Sequence, residues 1–331
     1  MNATIKDIAR RLDISYATVS RALNGRYGVH PKTKENILKM AQEMNYHPNA
    51  IARGLVKQHT ETIGLVIPDI TNPFFPEVAR GIEDRAEEQG YSVFLCNTNW
   101  EQEREARYLS LLREKRVDGI ILAPVSDKSP LDWKFDDRAL PLVFVSEVRR
   151  GMGKSYVAID NIHGGYIATR YLINKGYKRI GFFGAAEDEL TSEERYQGYA
   201  RALKEAGLRE YKKFVRFGDY GSNTGNRLIT DMIRKKDYPD AVFAVNDLFA
   251  LSVMQGILGS GLRIPGDIAV IGFDDIPLAS FPEIMLTTVA QPKYQMGRIA
   301  ADLLLEQIQE KPGAAKKEVI LETELIERGT A

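Results

Sequence analysis

Apolar residues in the first sixty positions recur at helical spacing. Ile5, Ile8, Ala9 and Leu12 fall three or four apart. Thr4 with Asp7 makes a variant of the capping box, in which a hydroxyl and a carboxylate three residues later satisfy helix-start N–H groups. A break at Asp13-Ile14 precedes Ser15, a good N-cap. Tyr16 to Leu23 then reads as a short second helix with Val19 and Leu23 inward and Tyr16, Ala17, Thr18 and Arg21 outward. Pro31 opens a third helix through about Met44, from which Ile37, Leu38 and Ala41 are available to close a three-helix core. Beyond position 60 the pattern changes. Apolar, β-branched runs at Ile63 to Ile67, Val93 to Cys96, Gly119 to Ala123 and Leu142 to Val145 alternate with helical patterns near Phe74 to Gln89 and Gln102 to Lys115. This is the rhythm of a parallel sheet with helices on both faces. A second series begins near Asp160-Asn161, with strands expected at Arg179 to Phe183, Val215 to Phe217, Ala241 to Val245 and Ile268 to Gly272. The expected fold class is α/β: an N-terminal all-α helix-turn-helix head and a two-lobed body with parallel sheets.

Charge sharpens the division between head and body. The 331 residues carry no net charge, yet residues 1–60 hold ten Lys and Arg against four Asp and Glu, and the remainder thirty-five against forty-one. A basic head on an acidic body is drawn to phosphate, with affinity that falls steeply with salt. A helix exposing Tyr, Thr and Arg near its N-terminus suits a major groove. A small helical domain with a merely solvated polar face is the other reading of the same pattern. After Pro48, Asn49 can cap a helix of about eight residues, too short to persist alone and weakened by Gly54. It reads either as a helix that forms only in company or as a flexible linker carrying a core Leu55.

Open parallel sheets bind ligands beyond the carboxyl ends of their strands. The first such loop is Pro68 to Phe75, whose aromatics fit ordinary packing as well as a site. Asn246-Asp247, Asp274-Asp275 and Tyr220 follow later strands, and Gln291 sits at an expected crossover. Carboxylates and amides presented with aromatic faces suit a polyhydroxylated or heterocyclic ligand, because each buried hydroxyl needs a partner. Other chemistry finds little support. His30, His47, His59 and His163 are scattered, so no metal is expected, and the lone Cys96 reads as a core thiol in a reducing cytosol. Gly181-Phe182-Phe183-Gly184 is not a dinucleotide fingerprint, no P-loop occurs, and no nucleophile and base converge. No cofactor, no catalytic residue and no enzymatic activity are expected. The start lacks a signal-peptide pattern and no apolar run reaches membrane length, so a cytoplasmic protein without a membrane partner is expected.

The run from Thr4 to Leu55, and then the body almost to the C-terminus, resembles the lactose repressor/galactose repressor family of bacterial transcription regulators. The resemblance implies that outward residues of the second helix, here Tyr16, Ala17 and Arg21, contact base edges, within a DNA-binding set of Thr4, Ser15, Tyr16, Ala17, Thr18, Arg21, Asn24, Asn49, Ala52 and Leu55. It implies that paired hinge helices enter the minor groove, where Leu55 wedges between base pairs. For the body it implies the periplasmic sugar-binding-protein architecture, with the chain crossing between lobes near residues 160, 290 and 322. The expected domains are a DNA-binding head at 1–47, a hinge helix and linker at 48–60, and an effector and dimerisation domain at 61–331. Its N-lobe takes in about 61–160 and 291–321, and its C-lobe about 161–290 and 322–331.

The effector-binding set is Asn72, Phe74, Phe75, Glu147, Arg195, Tyr220, Asn246, Asp247, Asp274 and Gln291. Ser146-Glu147 stands where sugar-responsive relatives often place Asp-Arg, and Glu189 where a purine-responsive relative has Arg. Leu95 to Thr98 and Ile271 to Ser280 look most like ribose-responsive members. The leading expectation is a repressor of catabolic genes, gated by a small effector such as a pentose and acting as a homodimer on a palindromic operator. The dimer interface is expected at the helix beginning near Asn72 to Pro76 and the first lobe's apolar surface. The Ile82-Glu83-Asp84 region resembles the catabolite-control branch, which leaves a partner protein such as a phosphocarrier as an alternative coregulator. An enzyme fused to a DNA-binding head is the third class.

Overall fold

The computed structural model describes residues 3–23, 25, 27–46, 59–126, 140–146, 153–186, 189–219, 223–309 and 315–331. The chain divides into two compact units, Met1–Thr60 and Glu61–Ala331. In the first, α1 (Ile5–Leu12) starts at the capping box: Asp7 N–H donates to Thr4 Oγ1 at 3.3 Å and Thr4 N–H returns a bond to Asp7 Oδ2 at 3.0 Å. Asp13, at φ 51°, takes the left-handed turn that stops the helix. α2 (Tyr16–Leu23) is capped by Ser15, whose Oγ accepts the Thr18 N–H at 3.1 Å, and α3 (Pro31–Glu43) begins on its proline.

Ile8, Ala9, Val19, Ala22, Ile37 and Ala41 bury the core of the head. Two expectations change. Leu38 is 45% exposed, because it stands about 100° round the helix from the fully buried Ile37. Ala22 rather than Leu23 is the second core residue of α2, with Leu23 packed at the margin. The segment expected to form a hinge helix, including Asn49, Ala52 and Leu55, lies outside the described residues, as does Asn24.

The body contains two parallel sheets. The first has the order β11-β5-β4-β3-β1-β2, formed by β1 (Thr62–Ile67), β2 (Ser92–Asn97), β3 (Gly119–Leu122), β4 (Leu142–Val145), β5 (Ser155–Ile159) and β11 (Glu318–Leu321). The second has the order β7-β6-β8-β9, from β6 (Ile180–Gly184), β7 (Val215–Phe217), β8 (Ala241–Ala244) and β9 (Ala269–Ile271). β10 (Thr288–Ala290) and β12 (Glu324–Ile326) form an antiparallel pair.

Strand alternation explains the layers. Ile63, Leu65 and Ile67 pack with α4 (Phe74–Glu88) and α10 (Lys293–Gln309), while Val66 on the opposite face joins Leu109 and Leu112 of α5 (Gln102–Glu114). Both faces are covered, so the strands read as unbroken apolar runs. Sequence periodicity did not reveal β5, β10, β11 or β12. β10 and β12 have three residues each, too few to show a period.

In the second half, α6 (Asn161–Asn174) and α7 (Leu190–Glu205) cross at Gly165 and Gly198. A Cβ on Gly165 would overlap the Arg195 carbonyl, and one on Gly198 the Ile162 carbonyl. The close crossing sets Arg195 of α7 beside Asn161 at the start of α6. The remaining helices are α8 (Thr224–Arg234) and α9 (Asp247–Gly259).

Candidate functional site

Loops beyond the carboxyl ends of strands from both sheets meet at one polar cleft. Asn72, Phe74 and Phe75 follow β1, and Ser146 follows β4. Glu189, Thr191 and Arg195 follow β6, Asn246 follows β8, Asp274 follows β9 and Gln291 follows β10. Seven of the expected residues are therefore brought together: Asn72, Phe74, Phe75, Arg195, Asn246, Asp274 and Gln291. Glu147 and Tyr220 lie outside the described residues. Ser146, Glu189 and Thr191 were not among the residues expected to line it. Thr191 carries no sequence signal beyond its place in the first turn of α7, and Ser146 is presented by a backbone φ of 75° that no local motif announces.

Arg195 is the centre of the buried network, only 5% exposed. Its Nε donates to Asn161 Oδ1 at 3.0 Å and one terminal nitrogen to the Val245 carbonyl at 2.5 Å. The guanidinium carbon lies 3.6 Å from the ring centroid of Phe273. The same nitrogen stands 3.7 Å from Asp274 Oδ1, which also accepts from Gln291 Nε2 at 2.6 Å. Burial raises the Asp274 carboxyl above its ordinary range, with Arg195, Gln291 and Lys293 pulling it back. Asp274 also sits at φ 110°, a conformation that costs of order 1–3 kcal/mol in a residue with a side chain and tends to collect at functional sites.

Lys293, absent from the expected set, is 5% exposed. Its Nζ donates to the Asp274 and Asp275 carbonyls at 2.6 and 2.8 Å and lies 3.3 Å from Glu77 on α4. One buried cation thus ties a helix of the first sheet to the loop after the second.

Asp247, expected in the effector-binding set, is placed differently from its neighbour Asn246. It is fully buried and does not line the cleft. Its Oδ1 accepts from Thr288 Oγ1 at 2.6 Å and its Oδ2 from the Ile276 N–H at 2.8 Å, so it fastens α9 to β10 and to the loop carrying Asp274. The preceding residue, Asn246, faces the cleft and caps α9 through the Phe249 N–H at 2.8 Å.

Burial, then the nearby Asp274, raises the Asp247 carboxyl well above its ordinary value of 3.8. The native state holds this proton more tightly than the unfolded chain does. The associated stability is full below pH 3.8 and falls as pH rises through the native value. Asp247→Ala strands two buried donors, so urea unfolding is expected to show a loss of about 2–3 kcal/mol. An unaltered midpoint together with a lost effector response would return Asp247 to the ligand set.

Both units of the chain match known protein families. Residues 4–49 match the bacterial regulatory proteins of the lacI family, and residues 60–328 match the periplasmic binding proteins and sugar-binding domain of the LacI family. The HTH-type transcriptional repressor PurR of Vibrio atlanticus (strain LGP32) is 37% identical over 329 residues, 99% of this chain and 98% of that protein. Catabolite control protein A of Priestia megaterium is 36% identical over 305 residues, 92% of each. The lac repressor dimer bound to operator and the anti-inducer ONPF superposes with a TM-score of 0.89 at 26% identity, covering 100% of this chain and 99% of that one. The chain belongs to the LacI family of bacterial transcription regulators: a DNA-binding repressor with a helical head and an effector-binding α/β body.

Proposed function

We propose that this repressor acts as a homodimer on a palindromic operator in the cytoplasm, without enzymatic activity, and that a small neutral sugar bound in the cleft sets its operator affinity. A pentose is the leading candidate from the resemblance to ribose-responsive members. The observation that carries the reading is the convergence of Asn72, Asn246, Asp274 and Gln291 on a space walled by Phe74 and Phe75. Carboxylate and amide groups beside aromatic faces match the alternating hydroxyl and C–H surfaces of a sugar ring. The lining draws on loops of both sheets, so a ligand held there binds differently when the sheets part or close.

The cleft encloses about 50 Å3. This is well below the roughly 150 Å3 of a cavity that accepts benzene, so a sugar ring requires the sheets to separate. That requirement supplies the differential binding on which gating depends. The buried polar lining is the feature that favours a small molecule over a partner protein as coregulator.

Association through the first sheet is supported by its edge strand β2, where Phe94 and Leu95 are 51% and 43% exposed. An apolar sheet edge invites pairing with a second chain. No helix among the described residues is long and apolar enough to cross a membrane, and no described group of three His, Cys, Asp or Glu is arranged to hold a metal ion.

Two measurements test the reading. Tyr16, Ala17 and Arg21 are exposed on α2, and Arg21 offers a planar donor able to pair bidentately with guanine. Arg21→Ala is expected to weaken operator binding by about 1–3 kcal/mol while leaving effector binding unchanged. Equal operator affinity of variant and parent at matched salt would remove Arg21 from base readout. Thermal shift with pentoses, hexoses, their phosphates and purines is expected to show stabilisation by a neutral sugar, because a ligand that binds the native state raises its melting temperature.

A further inference from the structure

The turn after β9 has two successive residues with left-handed backbones, Asp274 at φ 110° and Asp275 at φ 52°. Such a turn persists only where its surroundings hold it. On one side it is held by α9 and β10: the Ile276 N–H donates to Asp247 at 2.8 Å and the Asp274 N–H to the Val289 carbonyl at 2.8 Å. Arg328, after β12, binds the Asp275 carboxylate at 2.6 Å and the Leu286 carbonyl at 2.8 Å.

The two carbonyls of the turn are taken by Lys293 at the start of α10. This helix belongs with the first sheet, packing on β3, β4 and β5. It is locked against α4 by close backbone approach. A Cβ on Gly81 of α4 would overlap the Tyr294 carbonyl, and one on Gly297 of α10 the Val78 carbonyl. Lys293 precedes Tyr294 and Glu77 precedes Val78, so the crossing fixes the lysine relative to the glutamate.

An ammonium has three donors. Two of them serve the Asp274 and Asp275 carbonyls, and the ammonium also lies 3.3 Å from Glu77. The Lys293 side chain is 5% exposed and that of Glu77 40%. Neither residue lines the cleft. A lysine that served only to satisfy two carbonyls would secure the turn and leave Glu77 without a part in gating.

We infer that Lys293 is a positioning residue for gating: paired with Glu77 it straps the Asp274 turn to α4, favours the joined arrangement of the two sheets, and passes their separation to α4. The inference rests on the effector-gated reading above in its inducer form, in which a ligand separates the sheets and operator is released. Loosening the strap then imitates the ligand.

Full-length protein and an operator duplex, recovered from a randomised pool by selection with the parent protein, test this without any effector. Glu77→Gln removes one charge and leaves both carbonyl bonds of Lys293. It is expected to weaken operator binding about three- to fivefold, the effect of losing a partly exposed ion pair. Hydrogen exchange of residues 274–276 should stay at the parent's rate, and the melting temperature within about 3 °C of the parent's. Lys293→Met removes the strap altogether and is expected to weaken operator binding at least about tenfold and to speed exchange in the turn. Lys293→Gln, which loses the charge but keeps a donor, takes its place if the methionine variant does not fold. In either Lys293 background Glu77→Gln is expected to add nothing, because residues that act through one contact are not additive.

Operator binding unmoved or tightened by Glu77→Gln overturns the proposal. So does an equal loss in the parent and Lys293-variant backgrounds, which would place the effect of Glu77 outside the strap, as at a dimer contact of α4. The effector reading is tested apart from these variants, on the parent protein. A sugar that raises the parent's melting temperature and lowers its operator affinity, beside a silent Glu77→Gln, removes the strap and keeps that reading. If no pentose, hexose, sugar phosphate or purine alters the parent's operator affinity, the effector reading fails and the strap falls with it, whatever the variants do.

Discussion

Asp274→Ala is expected to shift the response to effector to roughly 10- to 150-fold higher concentration while operator binding in its absence stays intact. The side chain accepts from Gln291 at 2.6 Å, lies 3.7 Å from Arg195, and is presented to the cleft by a left-handed backbone that the Ala variant would retain. A ligand hydroxyl deprived of a charged acceptor in a buried site loses about 1.5–3 kcal/mol, roughly 10- to 150-fold in affinity. Operator release measured against effector concentration checks this. A variant that answers at the same concentration as the parent would show that the ligand does not use Asp274. The variant also removes the partner of Gln291, so its melting temperature should be recorded alongside. Asp247→Ala provides the contrast, because there the expected loss is in stability.

The second large effect is expected at Leu55. The chain from Asn49 onward can form a helix of only about two turns, below the length at which helices persist in water, and Gly54 lowers its stability again. On the expectation drawn from the family resemblance, such a helix would form only where a partner helix and the minor groove supply its contacts. A leucine inserted between base pairs then contributes to kinking the duplex. Leu55→Ala should reduce specific operator affinity and DNA bending by a large factor without altering the melting of the body. Hydrogen exchange should find residues 50–56 unprotected in free protein and protected on operator. Strong protection without DNA would defeat coupled folding.

Much of the architecture was legible because burial writes directly into sequence. Ile63 to Ile67 stands out because α4 and α10 cover one face of β1 and α5 the other, leaving no polar alternation. The capping box at Thr4 and Asp7 and the N-cap at Ser15 are local, so the residues that make them also reveal them. Features set by distant neighbours were not legible. Asn246 and Asp247 are adjacent at the end of β8. One meets the cleft and the other Thr288 and Ile276, and nothing within the pair distinguishes them. Lys293 looks like any helix-start lysine until the Asp274 and Asp275 carbonyls close around it. Leu38 satisfies the helical period as well as Ile37 does, and only the helix rotation decides which is buried.

On the proposed function, cleft occupancy and operator binding are coupled. An effector alters DNA affinity only by favouring one arrangement of the two sheets, and couplings of this kind amount to about 1–3 kcal/mol. Reciprocity fixes the sign and size from the opposite direction. For an inducer, the reading favoured by the likeness to catabolic-sugar regulators, saturating operator must weaken effector binding by the factor with which effector weakens operator binding. A corepressor would show the inverse pair. The measurement is calorimetric titration of effector with and without saturating operator DNA. Affinities are expected to differ between the two titrations by about 5- to 150-fold; identical affinities would show that the cleft ligand is not the gate and give precedence to a partner protein.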